Sequence, residues 1–155
     1  MEKNGANWSF METRVRFIGF KFVNVEENGR ISIPSAYRDA TDAKVFFIVP
    51  GSNKTLHIYP EESFIKLEDK ISKLESEEDR KIITDYIYSN AVSIKRDSMW
   101  RISIPQHLIE YASLKDTVKI VGGNDKLDIW DPKNHEEYNK SLLTEGSATF
   151  KKIGI

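Results

Sequence analysis

With 155 residues and a formal net charge of -1, the chain can make one ordinary domain or two small modules that pack on a shared core. Hydrophobic residues at 39% and charged residues at 30% exclude a disordered chain or a membrane-spanning one, and zero cysteines exclude a disulfide framework and a thiolate metal site. The amino terminus mixes Glu2, Lys3, Asn4, Glu12 and Arg14 without an apolar run, so the sequence predicts no export, no membrane contact and a cytoplasmic location.

In chain order, a first strand is expected around Arg14 and Arg16, which alternate with Val15 and Phe17 and so share one face, followed by Lys21. Phe22–Val25 and Ile31–Ile33 read as strands on either side of Asn28-Gly29, the strongest short hairpin signal because both residues tolerate positive φ. In Arg30-Ile31-Ser32-Ile33 the alternation puts the isoleucines on one face and Arg30 and Ser32 on the other. Pro34 then predicts the first turn of a short helix running to Ala40. Strands follow at Val45–Val49 and Leu56–Tyr59, with Pro50-Gly51-Ser52-Asn53 as the turn. Pro60, Glu61 and Glu62 open an amphipathic helix carrying Phe64, Leu67, Ile71 and Leu74. After the acidic break at Ser76–Asp79, Ile82, Ile83, Tyr86 and Ile87 mark a second helix.

Arg-Ile-Ser-Ile-Pro then returns unchanged at Arg101–Pro105. At the same offset Glu26 corresponds to Asp97, Leu56 to Leu127, Ile58 to Ile129 and Tyr59 to Trp130, so the chain reads as an internal duplication. The second copy predicts a helix from Pro105 to Ala112, strands at Val118–Val121 and Leu127–Trp130, a Gly122–Asp125 turn, and a helix after Asp131-Pro132. From Thr144 the tail lacks periodicity and is expected to be mobile. The expected organisation is an extension and first strand at 1–16, one repeat at 17–62, a helical linker at 63–90, the second repeat at 91–134, and a terminal helix with tail at 135–155.

In both copies an acid stands four residues before the arginine: Glu26 before Arg30, and Asp97 before Arg101. An arginine beside a tight turn can pair with phosphate or read guanine through its two-pronged donor edge, and an acid there can instead be a plain surface partner that shapes the loop. Thr13–Lys54 and Ala91–Lys126 lean basic while Glu61–Asp79 is strongly acidic, so a defined face can bind a polyanion despite the near-zero sum.

Phe17-Ile18-Gly19, Glu26–Pro34 and Tyr37-Arg38 resemble the opening of MraZ proteins, and Asp97–Pro105, Glu110–Leu114, Val121-Gly122 and Asp128–Asp131 are similar to that family's second half. The resemblance spans about Phe17 to Tyr138. It implies an α+β fold of two tandem AbrB-like swapped-hairpin β modules, related by pseudo-two-fold symmetry and flanked by short helices. It also implies a ring homo-oligomer and a nucleoid-associated repressor that binds repeated promoter boxes before the division and cell-wall genes. Carried onto this chain, the family's acid-x-x-x-Arg loops make Arg30, Arg101, Asn28 and Gly29 the DNA-binding positions, with Glu26 and Asp97 shaping the loops. Arg14, Arg16, Lys95 and Arg96 are further basic candidates. The first loop has Glu26 and Asn28 where the family carries Asp and Lys. The second has Trp100 in place of glycine, which predicts a different turn there or a loss of DNA contact, and makes Arg30 the principal contact. Trp100 itself is expected to pack.

His57, His107 and His135 lack metal-ligand spacing, and no nucleophile elbow, P-loop or dinucleotide fingerprint is present, so no enzyme, cofactor, metal or small-molecule substrate is expected. The alternative from another class is a protein-interaction ring derived from the same fold, with weakened DNA binding.

Overall fold

The computed structural model describes residues 16–155, so Arg14 lies outside the described residues. In chain order the elements are β1 (Phe20–Asn24), β2 (Arg30–Ser32), α1 (Ser35–Arg38), β3 (Val45–Pro50), β4 (Leu56–Pro60), α2 (Glu61–Ser72), α3 (Glu77–Asn90), β5 (Val92–Lys95), β6 (Arg101–Ser103), α4 (Gln106–Tyr111), β7 (Thr117–Gly122), β8 (Leu127–Trp130), α5 (Pro132–Glu145) and α6 (Ser147–Phe150). This is an α+β architecture with antiparallel sheets.

Among the described residues two sheets carry the fold, one of six strands in the order β1-β7-β8-β4-β3-β5 and one formed by β2 and β6. The strand order interleaves the copies. The first strand of each copy pairs with the third strand of the other, β1 with β7 and β5 with β3. At the middle of the large sheet, His57 of β4 stands opposite Asp128 of β8, and in the small sheet Ile31 stands opposite Ile102. Both are pairs of positions that correspond in the repeat.

The turn expected at Asn28-Gly29 forms, with φ of 62° and 71°, but it does not join a hairpin. The strand before it pairs with β7 and the strand after it with β6. A two-residue turn signal is local, whereas pairing is decided by what apolar surface the register buries. Pairing β2 with β6 brings Ile31 and Ile102 together at 0% and 1% exposure. The first described strand also starts later than expected. Phe17 makes only an isolated bridge to Asn124, and strand pairing begins at Phe20, after Gly19 with φ of 85°.

The larger hydrophobic core among the described residues draws on both copies, Ile31, Ile33, Phe46, Ile48, Leu56 and Ile58 packing with Ile102, Ile104, Val118, Ile120, Leu127 and Ile129. Burying each such side chain contributes roughly 1.5–3 kcal/mol, so neither half alone keeps the core. Pro34 and Pro105 stand just outside α1 and α4 with extended ψ of 146° and 147°, rather than inside the first turn, and so set the angle at which each ribbon strand gives way to its helix. Helix α2 buries Phe64 and Ile71 against Val49 and Ile87, and Phe64 stacks on Phe47 at 4.1 Å. Ser76 caps α3 by accepting the Asp79 N–H at 3.1 Å. At the tail α5 continues to Glu145 and α6 follows at once, with Gly146 held against Leu142 and Phe150. Among the described residues no helix is long and apolar enough to cross a membrane.

Candidate nucleic-acid interface

The two-residue period of a strand fixes where the repeated arginines go. With Ile31 and Ile102 turned into the core, Arg30, Ser32, Arg101 and Ser103 are left on the outer face of the β2–β6 ribbon. Arg30 pairs with Ser103 and Arg101 with Ser32, so the arginines are diagonal neighbours, about 7–8 Å apart in such a ladder. Both are half-buried, while Ser103 is exposed.

The loops leading into the ribbon close in the same way. The Glu26 N–H donates to the Arg30 carbonyl at 2.7 Å, and the Asp97 N–H to the Arg101 carbonyl at 3.0 Å. Across the copies, the Ile104 N–H donates to the Gly29 carbonyl at 3.0 Å and the Ile33 N–H to the Trp100 carbonyl at 2.8 Å. Of the two outcomes that Trp100 predicts, a different turn or a loss of DNA contact, the different turn does not occur. Instead Trp100 takes φ of 60°, matching the 71° of Gly29. A bulky residue there costs on the order of 1–3 kcal/mol. Two contacts offset it: the indole packs against the core, and the Arg96 guanidinium lies over the ring at 3.7 Å from its centroid. At Gly29 no such replacement fits, because a Cβ would come within 2.5 Å of the Ile104 carbonyl oxygen and 2.7 Å of Ile109.

Side chains make the loops unequal. Asp97 Oδ1 accepts the Met99 and Arg101 backbone N–H groups, each at 2.9 Å, and Oδ2 accepts Arg101 Nε at 2.8 Å. The backbone N–H of Arg101, with help from its guanidinium, holds the Asp97 carboxyl below the usual carboxylate range. The matching pair in the first loop does not form. Glu26 lies instead 3.9 Å from Arg101 Nη1, and Arg30 makes no ion pair or side-chain hydrogen bond among the described residues. Arg101 thus sits between two carboxylates and Arg30 beside neither.

The other sequence candidates are scattered. Asn28 is exposed at the first loop's tip, next to Gly29. Arg96 is committed to the second loop, donating from Nε to the Ala43 carbonyl at 2.7 Å and from Nη1 to the Asp97 carbonyl at 3.1 Å. Lys95 is exposed at the end of β5. Arg16, also exposed, lies at the far end of β1 from the first loop, where Phe17 meets the β7–β8 turn. Sequence reasoning passed over Ser32 and Ser103 as partners on the arginine face, although the pentapeptide alternation names them. It also missed the His57–Asp128 contact of 2.6 Å, in which Asp128 is further held by Lys126 at 3.0 Å. Burial raises the Asp128 pKa, yet His57 and Lys126 outweigh it and keep the carboxyl low. The pair ties the copies together at the sheet centre. Among the described residues no three His, Asp or Glu side chains gather as metal ligands.

The family model described as "MraZ protein, putative antitoxin-like" matches the chain twice, over residues 17–85 and 87–152. The chain belongs to the MraZ family. Among relatives named transcriptional regulator MraZ, that of Clostridium tetani is 33% identical over 128 residues, 82% of this chain and 89% of the relative. That of Finegoldia magna is 32% identical over 124 residues, 79% of this chain and 86% of its own, and that of Moorella thermoacetica 28% identical over 138 residues, 88% and 96%. The duplication seen in the pentapeptide is therefore a pair of MraZ repeats, and the family is one of transcriptional regulators rather than enzymes.

Proposed function

We propose that this chain is a transcriptional repressor that binds promoter DNA through the outer face of the β2–β6 ribbon. The observation that carries the reading is the placement of Arg30 and Arg101 on one face, at matching positions of the two copies, with the hydroxyls of Ser32 and Ser103 between them. Serine hydroxyls and arginines are the groups that contact phosphates and base edges. Asn28 and Gly29 shape and border this face, and Lys95 and Arg96 lie next to its second loop. Arg16, at the remote end of β1, serves at most a flanking DNA segment.

The exchange of first strands supports a swapped-hairpin arrangement of AbrB type, with a pseudo-two-fold axis running between Ile31 and Ile102 and between His57 and Asp128. Its repeats fall at 17–62 and 91–134. Two arginines give few contacts to DNA, so affinity depends on several copies engaging repeated boxes, as a ring homo-oligomer on the nucleoid before the division and cell-wall genes would. Edge strand β1 supports self-association, because it exposes Phe20 and Phe22 at 54% and 58% beside Ile18 at 69%.

The test is a fluorescence-anisotropy titration of genomic promoter duplexes across a salt series. Arg30→Ala is expected to weaken binding and to lower the salt slope by about one phosphate for each contacting loop. An unchanged isotherm removes Arg30 from the site. Ring assembly with no duplex binding at any salt would favour the protein-interaction ring instead.

A further inference from the structure

We infer that the two arginines divide the work of recognition, Arg101 reading a guanine edge and Arg30 contacting phosphate. The inference rests on the DNA-binding reading above and goes beyond it by assigning the specificity to one side chain.

Three features of the second loop favour a base over a phosphate at Arg101. Asp97 is itself fixed by two backbone N–H groups at 2.9 Å, and it takes the Nε hydrogen of Arg101 at 2.8 Å. An arginine held at Nε keeps its terminal nitrogens for a second partner, and its side-chain freedom is already restricted before DNA arrives. Asp97 and Glu26 also put two carboxylates beside one guanidinium, at 2.8 Å and 3.9 Å. Their charge opposes a phosphate approaching Arg101 but costs little against the neutral O6 and N7 acceptors of guanine, which arginine meets in bidentate fashion. Thirdly, Trp100 and the stacked Arg96 stiffen the loop from below, with the Arg96 guanidinium 3.7 Å from the indole centroid.

The first loop has the opposite properties. Arg30 has no carboxylate partner among the described residues, and Glu26, which would be its counterpart to Asp97, points its charge toward Arg101. A half-buried guanidinium that no carboxylate among the described residues fixes suits a phosphate, where geometry is forgiving and charge decides. Asp97 is therefore a positioning residue for Arg101, and the two matching arginines differ in task because their acids are placed differently.

The experiment uses the full chain to select bound duplexes from a randomised library, followed by anisotropy titration on the selected duplex and on unselected duplex. For wild type, the selected pool should hold a fixed guanine. Arg101→Lys keeps the charge but loses the two-pronged edge, so it should bind the selected duplex about tenfold or more weakly, keep its affinity for unselected duplex, and select a pool without that guanine. Asp97→Asn provides a second variant with the opposite sign on one readout, since freeing the Arg101 charge should tighten binding to unselected duplex while lowering discrimination. Arg30→Ala should weaken both duplexes alike and leave the guanine preference intact. Wild-type guanine preference in Arg101→Lys, or its loss in Arg30→Ala, overturns the division of labour while leaving DNA binding in place. If wild type retains no duplex, both readings fall.

Discussion

Gly29 and Trp100 occupy the same place in the two copies, adopt nearly the same left-handed backbone with φ of 71° and 60°, and make equivalent hydrogen bonds across the ribbon. Around them the side chains have separated. The first loop relies on glycine because the Ile104 carbonyl and Ile109 press on it, whereas the second has room for an indole and places Arg96 over it. Among the described residues the first leaves its arginine without an acid, and the second fixes its arginine by Asp97. After a duplication, backbone geometry is held by the shared ladder, while each loop's chemistry is free to change as long as its own packing compensates.

The sharpest way to break this comparison lies beneath the loops. Ile31 and Ile102 face one another at 0% and 1% exposure, so Ile31→Ala and Ile102→Ala should each lower stability by about 3 kcal/mol in urea unfolding, with closely matched values. A large difference would mean that the copies do not share the ribbon equally. Next in size is Gly29→Ala, expected to cost on the order of 2 kcal/mol from positive φ and the 2.5 Å approach to Ile104. Trp100→Gly tests the other side. Relief of the backbone partly offsets the lost indole packing, so a smaller net loss of about 1 kcal/mol is expected by the same measurement, together with faster proteolysis of the 96–101 loop.

The smallest effect is on pH dependence. The Asp97 carboxyl sits below its ordinary pKa in the folded chain, so its support of the loop is complete above the unfolded value of about 3.9 and is lost as pH falls through its own lower value. Asp97→Asn should flatten that acid limb of the urea midpoint against pH without moving the neutral plateau by much. An identical acid limb in the variant would show that Asp97 does not hold the second loop.

Much of the fold could be read in the sequence because the information was periodic. Alternation in Arg30–Ile33 and Arg101–Ile104 put the right isoleucines inside, and the spacing of Phe64 and Ile71 named the buried face of α2, whereas in α3 Ile87 is buried and Ile82, Ile83 and Tyr86 are exposed. What could not be read was pairing. Nothing local to Asn28-Gly29 says that the strands it joins will each choose a partner some 70–100 residues away, because that choice depends on apolar area buried by the complete ladder. The candidate site divides the same way. Arg30, Arg101 and Asp97 follow from the repeat, but the displacement of Glu26 toward Arg101 depends on the ribbon bringing the two loops together. Trp100 packs as its apolar bulk suggests, but the left-handed turn beneath it is not legible, because a propensity rule speaks of the residue alone and does not count the packing that offsets its strain.

Because β1 and β5 are lent to the opposite half, what unites the halves is ladder and core rather than the covalent stretch between α2 and α3. A nick in that stretch would leave two interlocked fragments. The connecting helices then serve stoichiometry: they guarantee every first half its own second half, and they free folding from the dilution that would separate two independent polypeptides.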